Sequence, residues 1–374
     1  MIKKTSMIVL FFLTIFLISS VSAAEIENET ITTESTPQEN IQVETHDVEM
    51  YYKDGTRFIA DIRDENKNPL ENIPVTFNIN NVTYARQSND EGHASVALNL
   101  ASGKYEITTT VNDEQSQNNT ITIKSTIYGA DVVKIYRNST QYSAKFLDTS
   151  GNDLKNTPVS FNINGVFYTR VTDENGIAKL NINLVQGNYI LTAINPQNNE
   201  KISNNITVLP TITNNRDIVK YYKNGTKYTV CILENNGGIV GSDHEVEFNI
   251  NGILYHRQTN TLGIASLNLN LPPGDYIITA NYDGCKVSNN IKILPTLKAS
   301  DINMEYKDGT KFKVSLLDGK GNANAYEKVT FNINGVFYIR TTNEYGIASL
   351  NINLPPGDYI ITSQHDGLSI ANNI

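Results

Sequence analysis

The tetrapeptide Phe-Asn-Ile-Asn occurs four times, with its phenylalanine at Phe77, Phe161, Phe248 and Phe331, so the chain repeats itself every 83 to 87 residues. The internal spacing never slips. A tyrosine follows each Phe seven positions later (Tyr84, Tyr168, Tyr255, Tyr338) and an arginine nine later (Arg86, Arg170, Arg257, Arg340). A glycine stands at fifteen (Gly92, Gly176, Gly263, Gly346) and a Gly-x-Tyr begins at twenty-six (Gly103, Gly187, Gly274, Gly357). Upstream, Tyr-x-x-x-Thr recurs at Tyr52, Tyr136, Tyr222 and Tyr306. Fixed self-similarity of this kind marks a chain built from copies of one supersecondary unit. Length alone, 374 residues, would suggest two or three domains. The repeat instead predicts four, over residues 46–126, 130–212, 216–298 and 300–374, with the last strand of the fourth cut short.

Each copy alternates with a period of two, the pattern of half-buried strands. In the third, Tyr228, Val230 and Ile232 face one way and Thr229, Cys231 and Leu233 the other. Asn251-Gly252 is a two-residue hairpin of the type that needs positive φ, and Asn260-x-x-Gly263 fits a type I turn. The first copy has Asn81 where the others have Gly165, Gly252 and Gly335. No stretch has a helical period with caps. About seven short antiparallel strands per copy, without βαβ alternation, predict an all-β chain of tandem immunoglobulin-like β-sandwich domains.

The front of the chain reads as an address. Lys3 and Lys4 precede the apolar run Met7–Ile18 and the small residues ending at Ala23, the pattern of a secretory signal peptide over residues 1–23. The run is shorter than the ~20 residues a membrane helix needs, so no membrane span is expected after cleavage. Residues 24–45 hold six glutamates and no Lys or Arg, which predicts an acidic disordered spacer. Net charge is −9, a field that repels phosphate backbones and makes nucleic acid a poor partner.

Val329–Gly335 (Val-Thr-Phe-Asn-Ile-Asn-Gly), Glu344–Leu350 (Glu-Tyr-Gly-Ile-Ala-Ser-Leu), Gly357–Thr362 (Gly-Asp-Tyr-Ile-Ile-Thr) and Ser288–Ile291 (Ser-Asn-Asn-Ile) resemble the Ig-like repeats of prokaryotic surface adhesins. The likeness is to the invasin/intimin-type bacterial Ig-like domain and to the adhesin-like proteins of methanogenic archaea, and it covers residues 46–374. It implies a secreted, extracellular or cell-surface associated adhesin or stalk. The partners implied are surface glycans or proteins of host or neighbouring cells, or the cell wall, held by weak multivalent contacts. Strands of about eight residues at ~3.3 Å rise give a rod on the order of 100–140 Å, with proline-stiffened junctions. The alternative reading is the non-catalytic N-terminal part of a larger exported cell-wall or polysaccharide-acting enzyme. The chain itself carries no Gly-x-Ser-x-Gly, His-Glu-x-x-His or phosphate loop, and no cofactor or metal is expected.

Candidate binding residues are the four Tyr-x-Arg pairs, Tyr84/Arg86, Tyr168/Arg170, Tyr255/Arg257 and Tyr338/Arg340. They are read as a ligand ridge, or as arginines packed on tyrosines and paired with the recurring Asp47, Asp131, Asp217 and Asp301. Tyr51 and Tyr221 are candidates for stacking on glycans. Six sequons offer N-glycosylation sites at Asn28, Asn81, Asn118, Asn138, Asn205 and Asn224. Cys231 and Cys285 lie in one copy, where export would permit a disulfide. The adhesin resemblance also raises Lys–Asn crosslinks from Lys134 or Lys220 to Asn204/Asn205 or Asn289/Asn290.

Overall fold

The computed structural model describes residues 40–113 and 115–374. The signal peptide, Asn28 and most of the acidic spacer lie outside the described residues. The first module has eight strands: β1 (Gln42–Thr45), β2 (Val48–Tyr51), β3 (Arg57–Arg63), β4 (Pro74–Ile79), β5 (Val82–Gln87), β6 (His93–Ala97), β7 (Gly103–Val111) and β8 (Gln115–Lys124). They form a three-stranded sheet, β1-β3-β6, against a five-stranded sheet, β2-β8-β7-β4-β5. The second and third modules repeat this topology. The fold is all-β, a series of immunoglobulin-like sandwiches, and the described residues contain no helix.

Alternation decides which side chains the two sheets enclose. Phe58 and Ile62 of β3 meet Phe77 of β4, Ile107 of β7 and Ile121 of β8, all fully buried. The Phe of each Phe-Asn-Ile-Asn lies in a T-shaped contact with an aromatic ring of the opposite sheet. Centroids are 5.7 Å apart for Phe58–Phe77 and 5.6 Å for Tyr142–Phe161. The pairs Tyr228–Phe248 and Phe312–Phe331 repeat it. Truncating such a ring to alanine costs about 3–5 kcal/mol, so this position fixes the repeat for packing reasons. The Asn80-Asn81 hairpin of the first module holds both residues at positive φ, 50° and 63°. Asparagine tolerates that region well enough to stand where the other copies place glycine.

Three expectations need correction. The strands are not all antiparallel: β2 pairs in parallel with β8. The chain switches sheets between β1 and β2, and the recurring aspartate sits at that switch. Asp47 accepts the N–H of Thr120 at 2.8 Å, and Asp131, Asp217 and Asp301 accept those of Asn205, Asn290 and Asn373. These carboxylates therefore hold backbone and do not pair with the arginines. The modules also begin earlier than 46, 130, 216 and 300. β1 lies inside the span read as spacer, because Ile41 and Val43, alternating with polar residues, pack on the core. Strands Ile127–Gly129, Ile212–Thr213 and Leu297–Lys298 open the later modules in the same way.

The fourth module departs from the pattern. Its larger sheet has four strands, with Leu368–Asn373 at the edge. Residues 302–305 form no strand, and only the Ile302 N–H reaches across, to the carbonyl of Asn373 at 3.0 Å.

Candidate functional site

Cross-strand partners share a face, so the register locates each candidate side chain. Tyr168 is opposite Phe161 and Arg170 opposite Val159, both core residues. The Tyr-x-Arg pairs thus lie on the core-side face of the edge strand, where the larger sheet overhangs the smaller. Arg170 and Arg340 lie over Tyr168 and Tyr338, 6.0 and 5.9 Å from the ring centroids. Each guanidinium donates to the carbonyl just before it: Ala85, Thr169 and His256 at 2.7 Å, Ile339 at 2.8 Å. The tyrosines pack partly on the cores. The pairs seal the sheet edge more than they present a ridge.

The opposite face carries a different recurring set. The first Asn of each Phe-Asn-Ile-Asn points outward, flanked across the sheet by a threonine. The rows are Thr83-Asn78-Thr108-Asn118, Phe167-Asn162-Thr192-Ser203, Leu254-Asn249-Thr279-Ser288 and Phe337-Asn332-Thr362-Ala371. Modules two to four thereby set an exposed apolar side chain beside half-exposed amide and hydroxyl groups; Phe167 is 66% exposed and Phe337 63%. Val171 and Ile190 extend the patch in the second module, Ile277 in the third, Ile339 and Ile360 in the fourth. The sequence held this row in its repeated Asn, but period-two alternation does not say which phase faces solvent at a sheet edge.

A second constellation lies between modules. Tyr51, at the end of β2, sits on Gly151 of the second module so closely that a Cβ there would lie 2.3 Å from the ring. Tyr221 sits on Gly321 of the fourth module in the same way, at 2.4 Å, and Ile135 approaches Gly237 of the third. The next residue is always tyrosine with a cation over its ring: Lys53 over Tyr52 at 5.2 Å, Arg137 over Tyr136 at 5.4 Å, Lys223 over Tyr222 at 5.7 Å. That cation reaches the following module. Arg137 pairs with Asp283 and Lys223 with Asp366, while Lys53 donates to the Asn198 carbonyl at 3.2 Å. At the first joint the buried Glu200 carboxylate accepts both the N–H and the hydroxyl of Thr126, each at 2.6 Å. Tyr51 and Tyr221 are therefore joint residues rather than exposed glycan platforms.

The remaining candidates scatter. The Nδ2 groups of Asn138 and Asn224 donate across joints to the carbonyls of Asn235 and Gly319, both at 2.7 Å. Asn205 donates to Asp131 at 3.1 Å. Asn81 and Asn118 are exposed, both in the first module. Cys231 and Cys285 are buried free thiols on different sheets. Cys285 belongs to the core, whereas the Cys231 sulfur lies 3.8 Å from the Leu262 carbonyl. Lys134 and Lys220 are buried with their ammonium groups on the carbonyls of Ile182 and Leu269, at 2.8 and 2.9 Å, and burial lowers both pKa values. Their partners are carbonyls, so the geometry gives no Lys–Asn crosslink. No cluster of metal-ligating side chains occurs among the described residues.

No family model matches the chain. Solved structures similar to it include the I9–I11 tandem of titin, at 15% identity over 68% of this chain and 99% of that one, with a TM-score of 0.27. Invasin, a bacterial integrin-binding protein, aligns at 15% identity over 89% of this chain and 78% of its own, with a TM-score of 0.22. A Ca²⁺-stabilized adhesin of an Antarctic ice-binding bacterium aligns at 15% identity over 89% and 97%, with a TM-score of 0.19.

Proposed function

We propose that the chain is an exported, surface-associated adhesin-like rod without catalytic activity, which spaces and displays weak contacts made by the outer faces of its larger sheets. The observation that carries this reading is the joint repeated at all three module boundaries, which stacks the sandwiches end on end. It agrees with the secretory pattern of residues 1–23 and with the resemblance to adhesin-like proteins. The outer rows suit surface glycans: amides and hydroxyls can exchange hydrogen bonds with sugar hydroxyls, and an exposed ring can stack on a pyranose face. Each row is shallow and single contacts would be weak, so three in series would act by avidity.

The test is binding of the full chain to whole cells and glycan arrays, beside a Phe167→Ala/Leu254→Ala/Phe337→Ala variant. All three side chains are exposed, so folding should persist, as circular dichroism would verify. Binding should drop at least about tenfold, the order expected when linked weak sites are lost. Equal binding by the variant would overturn the outer-face assignment, and absence of binding by the wild type to any surface would overturn the adhesive reading.

A further inference from the structure

The three joints share a key with a giving and a receiving half. The giving half is the run Tyr51-Tyr52-Lys53, Ile135-Tyr136-Arg137 or Tyr221-Tyr222-Lys223. The receiving half is a turn whose fourth residue is a left-handed glycine, Gly151, Gly237 or Gly321, with φ of 83°, 91° and 87°. The third and fourth modules add an Asp-Gly hairpin, Asp283-Gly284 or Asp366-Gly367, with Tyr136 and Tyr222 against its glycine. The turns superpose in register by their hydrogen bonds. Asp148 receives the N–H of Gly151, Glu234 that of Gly237 and Asp318 that of Gly321.

The first module has the same turn, in which Asp64 receives the N–H of Lys67. Its fourth residue is thus lysine, at φ 65°. Gly151, Gly237 and Gly321 each receive a side chain of the module before them, whereas the first module carries Lys67 at that place. The space beside Gly151 and Gly321, too small even for a Cβ under the tyrosine, would be filled by the Lys67 side chain. At the other end the fourth module keeps the giving half. Tyr306 is 54% exposed with Lys307 5.0 Å over its ring. Glu305 stands where Tyr51, Ile135 and Tyr221 sit on the glycine in the three joints.

We propose that Glu305-Tyr306-Lys307 is a docking half-site for a further module, and that Lys67 keeps the first module from receiving one. The occupant is the leading end of an Ig-like module with a glycine turn beside a basic side chain, to meet Glu305, and an acidic Asp-Gly hairpin, to meet Lys307. The leading end of the fourth module itself, with Lys320, Gly321, Asp366 and Gly367, has this chemistry. The chain's own first module does not, so copies do not polymerise end to end. The inference does not depend on what the rod binds.

The test extends the full chain past Ile374 with a second copy of residues 292–374, since Ile374 aligns with Ile291. Cysteines replace Lys307 and the appended copy's Asp366, and the rate of disulfide trapping between them is measured. A control chain carries Lys223→Cys and the internal Asp366→Cys at an existing joint. Trapping should match that control, and should slow about tenfold when the appended copy carries Gly321→Lys or the chain carries Tyr306→Ala, because the tether alone then sets the local concentration. Gly321→Lys should be tolerated by the turn itself, since Lys67 occupies that position in the first module. Trapping indifferent to both substitutions would overturn the half-site, and end-to-end oligomers of the unmodified chain in sedimentation would overturn the role of Lys67.

Discussion

Gly321 separates the stability of a module from the stiffness of a joint. The three atoms nearest to a Cβ there all belong to the Tyr221 ring of the preceding module, the first at 2.4 Å. Gly321→Ala should therefore leave the fourth module folded, with only the left-handed strain of about 1 kcal/mol, while displacing Tyr221. Spin labels on the third and fourth modules should show a broadened distance distribution with nearly unchanged melting; a sharp distribution would mean that the ring does not set the joint. Tyr142 gives a residue-scale prediction in pH. Its hydroxyl donates to Asn204 at 2.7 Å, and burial, with the charge of Asp131 adding to it, pushes its pKa from 10.0 up to about 12. The folded state binds this proton more tightly than the unfolded chain does. Its contribution is thus complete below pH 10 and is lost as pH rises from 10 toward 12. Tyr142→Phe should flatten the alkaline part of the second module's stability curve, followed by denaturant melts between pH 8 and 12, at the expense of about 1 kcal/mol at neutral pH from the lost hydrogen bond.

At the scale of elements, the parallel strand distinguishes the modules. β2 bonds to β8 and holds the start of the larger sheet, whereas residues 302–305 make no such ladder. Backbone amides of Ile360–His365 and Leu368–Asn373 should exchange with solvent faster than those of Gly274–Tyr282 and Cys285–Leu294, and the fourth module should melt first. Equal protection in the two modules would show that the ladder adds little. The strands themselves were legible because alternation and the fixed offsets from Phe77 onward leave one register in which the phenylalanines are buried. β1 and β2 were not: each is four residues long, too short for a periodic signal, and the switch between sheets is held by side-chain bonds of Thr45 and Asp47 to β8 that only the folded pairing creates. The Tyr-x-Arg spacing puts both side chains on one strand face, but the phase of that face depends on which sheet lies beneath it. The joint was least legible, since tyrosine in one module and glycine in the next are complementary only after both have folded.

For the whole molecule, the question is what keeps successive sandwiches in line. Ion pairs as exposed as Arg137–Asp283 and Lys223–Asp366 are solvated and screened, and each contributes little. The Debye length shortens from about 10 Å at 0.1 M salt to about 3 Å at 1 M. If these pairs carried the alignment, the rod would slacken over that range. The rings seated on Gly151 and Gly321, the amides of Asn138 and Asn224 and the buried Glu200–Thr126 contact are neutral or shielded from salt. Small-angle scattering should therefore give the same maximum dimension at 0.1 and 1 M salt, while Tyr51→Ala/Tyr221→Ala shortens it at both. Modification of Asn138 or Asn224 by a glycan should act like the double variant, because a sugar on Nδ2 would have to fit between modules whose facing carbonyls, of Asn235 and Gly319, lie 2.7 Å from that nitrogen, whereas a glycan on Asn81 or Asn118 should leave the dimension unchanged. A rod that contracts in salt and ignores the loss of both tyrosines would place the alignment in the ion pairs instead.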